Sequence, residues 1–168
     1  MRLGLIADTH GRLPSSVLDY FSGVELILHA GDIGSLGVLD ELAKAAPVVA
    51  VVGNMDRPPL TASHPVHRFV EAEGITILLV HRPPSLREVE SMACQEAVQA
   101  VHVVVHGHTH QRRLEDFVRQ PWGRRWPRRF TLGSSADPWW QVGTGGVPGS
   151  DGLSLHQQPA WAGKRRRP

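Results

Sequence analysis

The chain has 168 residues, with 18 Lys and Arg against 16 Asp and Glu and a single cysteine. That length suits one domain with a core large enough to need no staple, and one cysteine excludes an internal disulfide. No apolar run approaches the roughly 20 residues of a membrane-spanning helix, and the short run after Met1-Arg2 is too brief for a secretory signal, so a soluble, cytoplasmic protein with no membrane partner is expected.

In chain order, Leu3 to Ala7 reads as a buried strand leading into Asp8-Thr9-His10-Gly11. Pro14 to Ser22 places Val17, Leu18 and Phe21 at helical spacing, and Gly23 is its expected stop. A second strand, Leu26 to Gly31, is closed by Asp32. Leu36, Leu39, Leu42 and Ala43 make another helical stripe, ended by Pro47. The run from Val48 to Gly53 ends at Asn54. Val70 to Leu79 carries Glu73-Gly74 between two apolar segments, which predicts a hairpin, and the second segment runs on to His81. Ser85 and Glu88 have the spacing of a capping box ahead of a helix that holds Cys94, expected as a small buried residue. Val103 to Gly107 then leads to His108 and His110. Repeated strand–helix–strand order predicts an α/β fold.

Composition changes after this point. Residues 1–110 carry 7 basic and 12 acidic side chains, residues 111–168 carry 11 and 4, and all five tryptophans lie in the second part. Only Phe130-Thr131-Leu132 and Leu153-Ser154-Leu155 read as strand fragments there. Gly143 to Gly152 reads as loop, and the basic residues 157–168 read as a disordered tail. The expected organisation is a single domain over 1–156, its clear motifs confined to 1–116, followed by that tail.

Asp8, His10, Asp32, Asn54, His81, His108 and His110 each follow an apolar run, and each is a metal-binding side chain. Ligands in open α/β sheets bind beyond the carboxyl ends of the strands, so five strand ends would deliver seven ligands to one edge. At a strand end, positions i and i+2 share a face, so Asp8 with His10 and His108 with His110 would each offer a pair. Taken singly, Asp8-Thr9-His10 is a chance pairing and Gly31-Asp32 or Gly53-Asn54 a turn; five pieces in one order are a pattern. Carboxylate, amide and imidazole without thiolate suit a divalent transition metal with open positions. Seven ligands exceed one ion's usual coordination, which implies two ions, with Asp32 chosen as the shared carboxylate. Two such ions form a clamp for phosphoryl chemistry, with a metal-bridging hydroxide as nucleophile and no side-chain nucleophile. His29 and His106, within strands, read as hydrogen-bonded core residues, and His64, His67, His102 and His156 as surface residues.

Asp8-Thr9-His10-Gly11, Gly31-Asp32, Gly53-Asn54-Met55-Asp56, His81 and Gly107-His108-Thr109-His110 resemble the calcineurin-like metallophosphoesterase superfamily, in particular its small bacterial and archaeal phosphodiesterase branch. The resemblance covers residues 1–116. It implies a four-layer α/β/β/α sandwich, a first ion on Asp8, His10, Asp32 and His110, and a second on Asp32, Asn54, His81 and His108. It also implies manganese as the common activator, with iron, nickel or zinc as alternatives, and a small phosphate ester or phosphodiester as substrate.

Several positions depart from the family pattern. Many members have histidine after the site asparagine as the leaving-group acid; here Met55 stands there, and neighbouring Asp56 reads as a turn cap. Arg82-Pro83-Pro84 follows His81 where glycine is usual, and Arg82 is the candidate substrate-phosphate contact. Thr131-Leu132-Gly133-Ser134 replaces the family's Asn-Pro-Gly-Ser, and the expected later strands are barely visible; the tail is either divergent or translated in a shifted frame. Two other readings compete with a phosphodiesterase. One is a protein-binding scaffold like the eukaryotic retromer subunit of this fold, disfavoured because all seven ligand positions are filled. The other is a nuclease-like enzyme with its basic tail on nucleic acid, disfavoured because no nucleic-acid-binding motif is present.

Overall fold

Apolar residues alternating along short strands decide the layering. The computed structural model describes residues 1–110 and, beyond them, the backbone of four strands, 113–115, 128–131, 139–144 and 153–156. The elements run β1 (Arg2–Ile6), α1 (Ser16–Tyr20), β2 (Leu26–Ala30), α2 (Leu36–Ala43), β3 (Val48–Val51), α3 (Leu60–Ser63), β4 (His67–Ala72), β5 (Ile75–Val80), α4 (Leu86–Gln95), β6 (Val103–His106), β7 (Arg113–Glu115), β8 (Arg128–Thr131), β9 (Trp139–Thr144) and β10 (Leu153–His156). They form two five-stranded sheets, ordered β10-β9-β1-β2-β3 and β4-β5-β6-β8-β7. In the first, β1, β2 and β3 are parallel and β9 returns antiparallel to β1. In the second, β5, β6 and β8 are parallel, with β4 and β7 antiparallel to their neighbours.

Period-two alternation sends Leu3, Leu5 and Ala7 to one side of the first sheet with Leu28 and Ala30, where they meet Val70, Ile77, Leu79, Val103 and Val105 of the second. The residues between them, Ile6 and Ile27, face outward and pack with Val17, Phe21, Leu42 and Leu60 from the flanking helices. Leu78, Val80 and Val104 do the same on the far side with Val89 and Met92 of α4. Helices, sheet, sheet and helix therefore make four layers, as the family resemblance implies. Each fully buried leucine or isoleucine contributes about 1.5–3 kcal/mol, so both faces of each sheet are held. No helix of the described residues is long and apolar enough to cross a membrane.

The hairpin and the capping box form where the sequence places them. Glu73 (φ 49°) and Gly74 (φ 79°) make the two-residue turn between paired Ala72 and Ile75. The Glu88 N–H donates to Ser85 Oγ (3.3 Å) and the Ser85 N–H to Glu88 Oε2 (2.6 Å).

Other expectations need correction. Cys94 is exposed, because it lies on the solvent side of α4 while Val89 and Met92 take the core side. Gly143 and Thr144 are paired in β9 rather than looped, and β9 joins the first sheet against β1. His64 and His67 are half-buried, with His64 Nδ1 at 2.9 Å from Ser63 Oγ and His67 Nε2 at 2.8 Å from Glu96 Oε1. Leu132 and residues 157–168 lie outside the described residues.

Ser85→Ala leaves the first turn of α4 without its acceptor and should lower stability by about 1 kcal/mol, read as a shift in the urea midpoint with an unchanged slope.

Candidate metal centre

Every expected ligand leaves the sheets at one edge. Asp8, Asp32 and Asn54 follow β1, β2 and β3, while His81 and His108 follow β5 and β6. They are brought together by left-handed turns rather than by strand alternation: Asp8 (φ 55°), His10 (φ 48°), Asp32 (φ 53°), His108 (φ 70°) and His110 (φ 54°) all have positive φ. Such a conformation costs a non-glycine residue on the order of 1–3 kcal/mol, so it persists only where the surroundings impose it. Backbone bonds impose it here: Asp8 N–H to Gly31 O (3.0 Å), His10 N–H to Asp32 O (2.9 Å) and Gly107 N–H to His81 O (3.1 Å). The His108 N–H donates to the Asp8 carboxylate at 3.1 Å to Oδ2, so one ligand orients another.

Burial is graded across the site. Asp8, Asp32 and His81 are 0%, 3% and 3% exposed and form its floor. His10, Asn54, His108 and His110 are exposed at its mouth. Donor atoms of Asp8, Asp32 and His81 lie within 4.8 Å of one another, as do those of Asp8, His10 and His110. Asp8 is common to both groups. Asn54 Oδ1 lies 3.1 Å and Asp32 Oδ2 3.4 Å from His81 Nε2, and the His108 ring meets that of His81 edge-on at 5.2 Å.

The donor chemistry fits a cation. His81 Nδ1–H donates to Ala30 O at 2.9 Å, which turns Nε2 toward the oxygens of Asn54 and Asp32. Burial raises the Asp8 carboxyl above its ordinary value, with Asp32 adding to the rise and His81, His110 and the His108 N–H opposing it. A divalent ion would offset both effects. Two glycines make room for this packing: a Cβ on Gly53 would run into the Asp32 carboxylate, and one on Gly107 would come within 2.7 Å of Asp8 Oδ2 and of Ala7 Cβ.

Asp56 proves to be more than a local turn cap. It is 3% exposed, and its two oxygens accept from Gly34 N–H and Gly53 N–H, both at 2.8 Å, tying the loop after β2 to the loop after β3. Its spacing to Gly53 was visible in the sequence, whereas its reach to Gly34 was not. Thr9 and His29 form a second brace: Thr9 Oγ1 donates to Ile33 O (3.0 Å) and so accepts from His29 Nε2 (2.9 Å). His29 Nδ1 has no partner among the described residues. Both strand histidines are core residues, as expected, with His106 Nδ1 at 3.1 Å from Gly107 O. Arg82 is exposed beside His81.

Two outcomes test this geometry. Gly107→Ala should displace Asp8 and weaken metal affinity by roughly tenfold or more, measured by calorimetric titration with manganese. Burial lowers the His29 pKa from 6.5 to about 3, against the pull of Asp56. The unfolded chain therefore takes up a proton below about pH 6.5 that the folded chain refuses, and stability falls as pH drops. The slope is roughly 1.4 kcal/mol per pH unit down to about pH 3. His29→Gln should lose that component of the slope in urea denaturation between about pH 6 and pH 4.

Comparison with known proteins agrees with this geometry. Residues 1–138 match the calcineurin-like phosphoesterase superfamily domain. A probable metallophosphoesterase from Methanothermobacter thermautotrophicus is 39% identical over 127 residues, covering 70% of this chain and 73% of that protein. The solved structure of an archaeal phosphodiesterase is 25% identical, with a TM-score of 0.59 over 80% of this chain and 84% of its own. Vps29 from Chaetomium thermophilum has a TM-score of 0.67 over 92% of this chain and 95% of its own at 13% identity, a likeness of fold alone. The family match spans well over half of the residues, and the chain belongs to the calcineurin-like phosphoesterase superfamily.

Proposed function

We propose that the chain is a two-metal phosphoesterase acting on phosphodiesters. The observation that carries this reading is the convergence of Asp8, Asp32 and His81 on a buried floor, with histidines and an amide at an open mouth. Asp8, His10, Asp32 and His110 would hold one ion, and Asp32, Asn54, His81 and His108 the other, with Asp32 shared. When bound, the ions supply charge against the phosphate and a water acidic enough to serve as hydroxide nucleophile near neutral pH.

The chain's own residues do the rest. Carboxylates on the floor fix the donor positions, and the Ala30 carbonyl fixes the His81 tautomer. A phosphate would enter at the exposed mouth, where His10, His108 and His110 lie. Arg82, exposed beside His81, would be the contact for a phosphate oxygen. Met55 follows Asn54 and is 57% exposed, and its thioether has no proton to donate to a leaving group. Esters whose leaving group needs little protonation are therefore favoured, which supports diesters with an acidic alcohol. Ligand type suits manganese, iron, nickel or zinc, of which we propose manganese, and a chain with one cysteine suits the cytoplasm. The nuclease-like alternative rests on residues 157–168, outside the described residues.

Hydrolysis of bis(p-nitrophenyl) phosphate with and without added manganese tests the reading. Asp8→Ala and His108→Ala should each lower metal-dependent turnover by roughly a hundredfold or more. Turnover that ignores metal, or variants equal to the parent, would refute catalysis at this site.

A further inference from the structure

A cavity of about 280 Å³ opens directly beside the metal centre, sharing Asn54 and His81 with it. The rest of its surface is mostly apolar, from Val52, Val66, Val80 and Met92, with Gly53, His67 and Arg82 completing the lining. Four separate stretches of chain contribute, from the loop after β3, the approach to β4, the end of β5 and the middle of α4. These stretches are fixed to one another. The Val52 N–H donates to Pro65 O (2.9 Å), joining the end of β3 to the approach to β4 across the two sheets. His67, also on the wall, contacts Glu96 just past α4 at 2.8 Å. The cavity is therefore preformed.

Val66 is 66% exposed, a large apolar side chain left in solvent at the mouth with no part in the described cores. The cavity's volume of about 280 Å³ lies just below the roughly 300–1,000 Å³ of ligand pockets, enough for one ring-sized group. A group seated in it would lie beside Asn54 and His81, where it could be carried by a phosphoester held at the candidate metal centre.

We infer that this cavity is a specificity subsite for a ring-sized apolar ester group of the phosphoester substrate, with Val66 and Met92 as its specificity-determining residues. The inference rests on the phosphoesterase reading for the placement of phosphate, and not for the pocket's own affinity. It narrows the substrate class to phosphoesters carrying one aryl or similarly compact apolar group, and it disfavours those whose groups are all small or strongly polar.

Calorimetric binding of phenylphosphonate and methylphosphonate to the manganese-loaded protein tests it. The phenyl compound should bind about tenfold or more tightly, as expected for filling an apolar pocket. Val66→Asn, at an exposed position that folding tolerates, should bring the ratio of the two affinities close to one. Met92→Gln, which keeps side-chain length, should do the same, with a thermal melt as the check on folding. A ratio near one in the parent, a ratio that survives in V66N, or no binding of either phosphonate overturns the subsite. Hydrolysis of bis(p-nitrophenyl) phosphate by the same sample separates the two ideas. No turnover with the phenyl preference intact sinks the catalytic reading and leaves an apolar anion-recognition pocket standing; turnover with no preference sinks the subsite alone.

Discussion

Two buried carboxylates within reach of each other are the constraint on which this molecule turns. Asp8 and Asp32 are 0% and 3% exposed, and their ligand oxygens lie within 4.8 Å. At that separation, with an effective dielectric near 20, two ionised carboxylates repel by roughly 3.5 kcal/mol before any desolvation is counted. Part of that is offset by donors fixed in the backbone, His108 N–H on Asp8 and Met55 N–H on Asp32 Oδ1 at 2.8 Å. Neither donor carries a full charge. A fold that keeps such a pair on a dry floor, and surrounds it with imidazoles open to solvent, is arranged for positive charge brought from outside.

Holding that floor explains features that otherwise look unrelated. Gly53 and Gly107 lack side chains where Asp32 and Asp8 press closest. Asp56 spends both oxygens on the loops that carry Asp32 and Asn54, and the Thr9–His29 pair anchors the turn between Asp8 and His10 from beneath. The left-handed backbone at five ligand positions is the strain these braces contain. Stability and site geometry are thus two readings of the same bonds, because the groups that fix the ligands also join the ends of β1, β2 and β3.

Most of this was legible from the sequence where burial sets a period. Leu3, Leu5 and Ala7 alternating with Ile6 announce a strand between two apolar layers, and the ligands at the ends of such strands announce one edge. The capping box at Ser85 and the turn at Glu73-Gly74 are local chemistry and formed as read. What failed was anything set by distant contact. Asp8 and His10 do converge, but not through a shared face of extended backbone: their loop curls because Gly31, Asp32 and Ile33, just past β2, offer it carbonyls. β9 was missed because its tryptophans, glutamine and glycine give no clean period, and its pairing with β1 spans more than a hundred residues. Cys94 looked apolar enough for a core, yet helix phase puts it outside.

The same distinction bears on the chemistry proposed for this site. With Met55 after Asn54, no proton donor stands at that position, and the neighbouring carboxylate, Asp56, is engaged in holding loops rather than free to act. On the proposed phosphoesterase reading, discrimination would come from what the leaving group brings and from what surrounds the phosphate. On one side lies a mostly apolar cavity whose lining includes the exposed Val66 and the thioether of Met92. A thioether and a valine contribute little to an ionic transition state, but they favour a substrate that carries its own apolar surface. On that reading, Met55 where an acid could stand and a mostly apolar cavity favour one substrate type, an ester whose alcohol is both acidic and hydrophobic, as aryl alcohols are.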